Sequence, residues 1–207
     1  MPDHSAIGST TPGHYGVAGT SVLSLQETTI AAAWNLQGDP AQSALMAHVL
    51  RSFGTPLPVA PNTTLETGLL SAVWLGPTSW LLVAGGPLSP AHPLANFAGQ
   101  RDALNAVGGA LFDVSTGRVA WTLAGPRAAT VLATGCPLDF HPRAFPAGTC
   151  AQSLFGHVNA LFCRCANGDF TMFVARSVAR DVWSTLCAAS AQHGYEVRAP
   201  APFRQAQ

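Results

Sequence analysis

Apolar and polar positions follow the same succession of patterns twice along the chain. The segment Ala33-Trp34-Asn35-Leu36-Gln37-Gly38 is echoed by Ala120-Trp121-Thr122-Leu123-Ala124-Gly125, and each copy reads as a strand that stops at a glycine where a helix begins. In the first copy Asp39-Pro40 predicts an N-cap and a first-turn proline. Leu45, Met46, Val49, Leu50 and Phe53 then form a stripe at helical spacing, closed by Gly54. The second helix is predicted from Pro126 through Val131 and Leu132 to Gly135. A proline-bearing loop follows each helix, over 56–61 and over 137–142.

Hairpins come next in both copies. Leu69 to Leu75 and Trp80 to Ala84 flank Gly76-Pro77-Thr78-Ser79, while Leu154 to Cys165 and Phe170 to Ala175 flank Ala166-Asn167-Gly168-Asp169, whose Asn-Gly step is a strong turn signal. Each hairpin leads into a helix. One opens at Ser89-Pro90 and carries Leu94, Phe97, Leu104 and Val107; the other is capped by Ser177 and carries Val178, Val182, Leu186 and Ala189. The predicted fold class is therefore α+β, two pseudo-repeated β-α-β-β-α units whose sheets are covered by helices. The expected divisions are a flexible N-terminal arm over 1–20, a first unit over 21–108, a second unit over 109–198 and a flexible tail over 199–207. The second unit's first strand is placed over Leu111 to Leu123, bent near Gly117.

Composition narrows the range of functions. Of 207 residues, 48% are hydrophobic and only 10% charged, against about 25% charged in an ordinary soluble domain. Ten basic residues, all Arg, balance ten acids, so no clustered positive charge is available to displace counterions from nucleic acid. No apolar run reaches the roughly 18 residues of a membrane span, and the start has no basic and apolar leader, so the expected location is cytoplasmic. The five cysteines then read as thiols. A surface so poor in charge fits burial by a partner; a GC-rich coding sequence accounts for the same composition.

Candidate chemistry is sparse. Cys163-Arg164-Cys165 places two thiols on one face of a strand, but the second pair that a structural zinc site needs is missing, and the seven His are scattered. No metal site is expected. There is no Gly-x-Ser-x-Gly elbow, no lysine-bearing phosphate loop and no Gly-x-Gly-x-x-Gly. Asp113, Asp139, Asp169 and Asp181 are isolated. Asp113 is read as holding its own turn, Asp169 as closing a hairpin, and Asp181 as complementing a helix dipole. Trp34 and Trp121 are assigned to the core. Trp74 or Trp80 is a candidate interface anchor, and Arg127, after Gly125-Pro126 at a helix start, a candidate contact for a partner or an anion.

Several of these segments resemble a known group. Gly109-Ala110-Leu111-Phe112-Asp113-Val114-Ser115, Val119 to Gly125, Pro126-Arg127-Ala128-Ala129-Thr130-Val131-Leu132 and Cys136-Pro137-Leu138-Asp139 are similar to the folate-dependent aminomethyltransferases, the glycine cleavage T-protein group. Within it, Trp74 to Leu82, Phe173 to Ser177 and Asp181-Val182-Trp183 resemble the gamma subunits of heterotetrameric sarcosine oxidases.

The resemblance implies an aminomethyltransferase-like fold without a recognised active site, acting in the assembly and stabilisation of a complex with alpha, beta and delta subunits. That complex converts sarcosine, O₂ and tetrahydrofolate to glycine, hydrogen peroxide and methylenetetrahydrofolate. FAD, FMN, NAD, tetrahydrofolate and zinc are implied for the partner subunits and no cofactor for this chain. The aminomethyltransferases carry a catalytic Asp just after a Gly in the strand following the loop; here Asn159 and Ala160 fall in that place, after Gly156-His157-Val158, and neither is a carboxylate. No catalytic residue is therefore expected, the alternative being a stand-alone folate-binding protein or aminomethyltransferase.

Overall fold

The computed structural model describes residues 11–17, 22–67 and 69–203. Two short strands come first, β1 (Gly13–Tyr15) and β2 (Ser24–Thr29). The first repeat is then β3 (Ala32–Gly38), α1 (Ser43–Phe53), β4 (Thr64–Thr67), β5 (Leu70–Gly76), β6 (Ser79–Ala84), α2 (Phe97–Ala106) and β7 (Gly109–Asp113). The second runs β8 (Arg118–Ala124), α3 (Ala128–Ala133), β9 (Cys150–Phe155), β10 (Val158–Arg164), β11 (Phe170–Ala175), α4 (Ala179–Ala191) and β12 (Tyr195–Pro202). The α+β duplication is as expected, but each copy is longer than β-α-β-β-α: the order is β-α-β-β-β-α-β.

The chain forms two compact units, one from residues 30–115 with 202–207, the other from 1–29 with 116–201. The first is built on a five-stranded sheet in the order β4-β5-β6-β3-β7, and the second on a seven-stranded sheet in the order β1-β12-β2-β8-β11-β10-β9. The division expected at 108/109 is therefore corrected to 115/116. The single strand expected over 111–123 is two strands: β7 pairs with β3 and β8 with β11 and β2. The physical break is the turn after β7, where Asp113 Oδ1 accepts from Ser115 N at 2.9 Å and from Ser115 Oγ at 2.6 Å. Likewise the strand expected over 154–165 divides at Gly156-His157 into β9 and β10, a two-residue hairpin with Gly156 at φ 62.

Helix starts also differ from expectation. Asp39 forms a local turn, its Oδ1 accepting from Ala41 N at 2.9 Å, and α1 begins only after Gln42. At α2 the cap is Asn96, which accepts from Gly99 N at 3.1 Å, with Ser89-Pro90 lying upstream. Ser177 lies inside a 3₁₀ turn, Arg176–Val178, ahead of α4. Gly54 does close α1, at φ 70. Gly125 ends β8 at φ 107, where an added Cβ would lie 2.6 Å from the carbonyl oxygen of Val22.

The tail expected to be flexible from 199 continues β12 to Pro202, and Phe203 is buried. The expected arm over 1–20 includes β1, which pairs with β12. Its residues 1–10 and 18–20 lie outside the described ones, as do 204–207.

Trp34 and Trp121 occupy corresponding positions. Trp34 lies opposite Leu82 in a core with Leu36, Leu45, Val49 and Leu104, and Trp121 opposite Met172 in a core with Phe162, Val131, Val182 and Leu186. In each unit the sheet face holding the Trp is the face that its helices cover, where burial is worth about 25 cal/mol per Å² of apolar surface. Among the described residues no helix is long and apolar enough to cross a membrane.

Candidate functional site

The β9–β10 hairpin holds the position at which the resemblance places a catalytic acid. Asn159 is exposed and lies opposite Leu154, while Ala160, one residue on, points into the core opposite Ser153. This stretch therefore offers no negative charge to stabilise a cationic one-carbon intermediate on tetrahydrofolate.

Acids elsewhere do local structural work. Asp113 holds the turn after β7. Asp139 Oδ1 accepts from His141 N at 2.8 Å. Asp169 Oδ2 accepts from Asn167 Nδ2 at 2.7 Å, and burial pushes its carboxyl up. Asp181 sits in the first turn of α4. Among the described residues no three His, Cys, Asp or Glu side chains gather to hold a metal ion.

The cysteines form no disulfide. Cys136, Cys150 and Cys163 are buried, and Cys165 is half-buried with its sulfur 3.4 Å from Thr171 Oγ1. Cys136 lies in the loop after α3 rather than within the helix. Burial pushes the Cys187 thiol up and, with the sulfur of Cys187 beside it, the Tyr195 hydroxyl as well. Arg164, the residue between two cysteines in the sequence, reaches the carbonyls of Phe140 (3.3 Å) and Phe145 (3.1 Å) through Nη1. Its guanidinium also lies 4.9 Å over the Phe170 ring, so it ties the 136–149 loop to the sheet.

The three candidate interface residues do not come together. Trp80 is fully buried, and its Nε1 donates to Pro58 O at 2.7 Å, so its role as an anchor for a partner is corrected to a core residue. It lies on β6, whose two edges are both paired, with β5 and with β3. Trp74 is half-buried on β5, packed against the same core. Arg127 is exposed just before the six-residue α3.

Two exposed apolar side chains of the same unit, Val59 and Leu65, were not legible as exposed in the sequence. Trp74 N donates to Thr63 O at 3.1 Å and Thr63 Oγ1 to Ala60 O at 2.7 Å, which ties the end of the 56–63 loop to β5. In that loop Val59 is 64% exposed, and on β4 Leu65, 37% exposed, lies on the same sheet face as Ala72 and Trp74. The signal was present as apolar residues inside a proline loop and a short edge strand, but neither place announces exposure. Arg118, at the start of β8, is half-buried and makes no side-chain hydrogen bond or ion pair among the described residues; burial lowers its pKa.

Residues 37–192 match the sarcosine oxidase, gamma subunit family. The chain is 28% identical over 149 residues to a sarcosine oxidase subunit gamma from Corynebacterium sp. strain U-96, covering 72% of this chain and 69% of that protein. Its structure is similar to a chain of the heterotetrameric sarcosine oxidase from Corynebacterium sp. U-96 in complex with pyrrole 2-carboxylate, with a TM-score of 0.72 and 26% identity over 86% of this chain and 88% of that one. The glycine cleavage system aminomethyltransferase T from Bartonella henselae shares the fold at a TM-score of 0.56 and 15% identity, over 87% of this chain and 48% of that one. With three quarters of its length inside that family's match and the duplicated fold common to both structures, the chain belongs to the sarcosine oxidase gamma subunit family.

Proposed function

We propose that this chain is the non-catalytic gamma subunit of a cytoplasmic heterotetrameric sarcosine oxidase, acting in assembly and stabilisation beside alpha, beta and delta subunits. The complex turns sarcosine, O₂ and tetrahydrofolate into glycine, hydrogen peroxide and methylenetetrahydrofolate. FAD, FMN, NAD, tetrahydrofolate and zinc belong to the partner subunits, and none to this chain. The observation that carries the reading is the likeness, over nearly the whole of both chains, to a chain of a heterotetrameric sarcosine oxidase. The uncharged positions Asn159 and Ala160 and the exposed apolar side chains of Val59 and Leu65 favour docking over turnover. Arg118, a half-buried guanidinium without an acceptor among the described residues, suits a carboxylate supplied by a partner.

Co-expression with alpha and beta subunits tests the proposal. The chain is expected to co-purify with them as a stoichiometric complex; a chain that is recovered only alone overturns it. Calorimetric titration of the isolated chain with tetrahydrofolate is expected to give no heat of binding, and tight binding would favour the folate-binding alternative.

A further inference from the structure

Cys150 opens β9 and Cys163 lies directly opposite it on β10. The kind of rung they occupy follows from its neighbour: Arg164 N donates to Thr149 O at 2.8 Å, so the rung just beyond is a hydrogen-bonded one. Antiparallel rungs alternate, which makes Cys150/Cys163 a non-hydrogen-bonded rung. Counting from the other end agrees. The two-residue turn is closed by the hydrogen-bonded Phe155/Val158 rung, and Cys150/Cys163 lies an odd number of steps away.

At such a rung the Cα atoms sit about 4.5 Å apart and the side chains project on the same face. That separation lies inside the window of about 4.4–6.8 Å that a disulfide accepts. The other thiols are placed differently. Cys165 lies just past the end of β10, Cys136 is in the loop after α3, and Cys187 is on α4 beside Tyr195.

We propose that Cys150 and Cys163 form a redox modification site, converted by a peroxide to a disulfide that thiol reductants reverse. In the first step one thiolate attacks a peroxide oxygen, the O–O bond breaks, and a sulfenic acid and water form. The second thiolate then attacks the sulfenic sulfur, forming the S–S bond and releasing a second water. Overall the two thiols lose two protons and two electrons, and hydrogen peroxide takes both. Although the pair is buried, β9 is the last strand of its sheet, so local opening of that edge admits a water-sized oxidant. The product locks an edge strand to its neighbour, closing the route by which an open edge frays and pairs with other chains. The chemistry of this thiol pair is independent of the proposed subunit role.

The test uses the full chain, reduced, desalted and treated with hydrogen peroxide, then alkylated with N-ethylmaleimide in denaturant and digested without reduction for mass spectrometry. The expected result is one linked peptide pair, Cys150 to Cys163, lighter by two hydrogens than its reduced parts and lost after dithiothreitol. Cys136 and Cys187 should be recovered alkylated. Cys165→Ser should leave the link intact, and Cys150→Ser should abolish it. Recovery of Cys150 and Cys163 as alkylated thiols or as sulfinic acids, or linkage of either to another cysteine, overturns the proposal. The unmutated chain decides this by itself if a variant does not fold.

Discussion

The indole nitrogen of Trp80 donates a 2.7 Å hydrogen bond to the carbonyl oxygen of Pro58, inside a site with no solvent exposure. Trp121, also fully buried, has no hydrogen-bond partner for its Nε1 among the described residues and stacks at 6.0 Å on Trp183. Two tryptophans of similar burial thus differ in what truncation leaves behind. Trp80→Phe orphans the Pro58 carbonyl, which costs about 1–3 kcal/mol beyond the lost volume, whereas Trp121→Phe removes a donor that had no acceptor. Urea denaturation should find Trp80→Phe the more destabilising of the two, and equal losses would contradict the assignment.

Arg164 holds two loop carbonyls that its unit otherwise leaves without that donor. Arg164→Met keeps the apolar stem but should cost about 2–3 kcal/mol in chemical denaturation, because hydrogen bonds to charged donors are worth more than neutral ones. Amide exchange should rise over 140–149. Arg164→Lys should rescue little, since a single ammonium cannot reproduce the planar fork over Phe170.

Tyr195 and Cys187 predict an alkaline limit. Desolvation raises both pKa values in the folded chain, so the unfolded chain deprotonates first, at about 8.5 for a thiol and about 10 for a phenol. Their contribution is complete below those values and is lost as pH climbs through them toward the folded pKa values. Melting temperature should fall across that range, and Tyr195→Phe should flatten the upper part of the fall. An unchanged profile in the variant would show that other groups set it.

Val59→Asp and Leu65→Asp place charge at apolar positions that are 64% and 37% exposed. Each should leave the isolated chain's melting temperature within a degree or two, since exposed substitutions rarely exceed about 0.5 kcal/mol. Recovery with partner subunits should fall several-fold. Arg118→Glu should do the same by repelling the carboxylate it is proposed to meet. Full assembly in all three would place docking on another surface.

Local chemistry makes much of this protein legible in its sequence alone. The Ala-Trp-x-Leu-x-Gly repeat marks two equivalent core strands because a tryptophan in an alternating segment is worth most on the covered face, and Gly54 and Gly156 mark chain reversals that only a glycine makes cheaply. The missing carboxylate at Asn159 and Ala160 is a fact of composition, readable without coordinates. Pairing was another matter. Period-2 alternation assigns a residue to a face but names no neighbouring strand, so nothing in 109–124 revealed that β7 and β8, a few residues apart, join different sheets, or that β2 lies between β8 and β12. Only the folded chain could decide that Trp80 is enclosed, that Val59 is displayed, and that Cys150 meets Cys163, because each depends on contacts between segments apart in sequence, whose formation is governed by packing of the whole rather than by local preference.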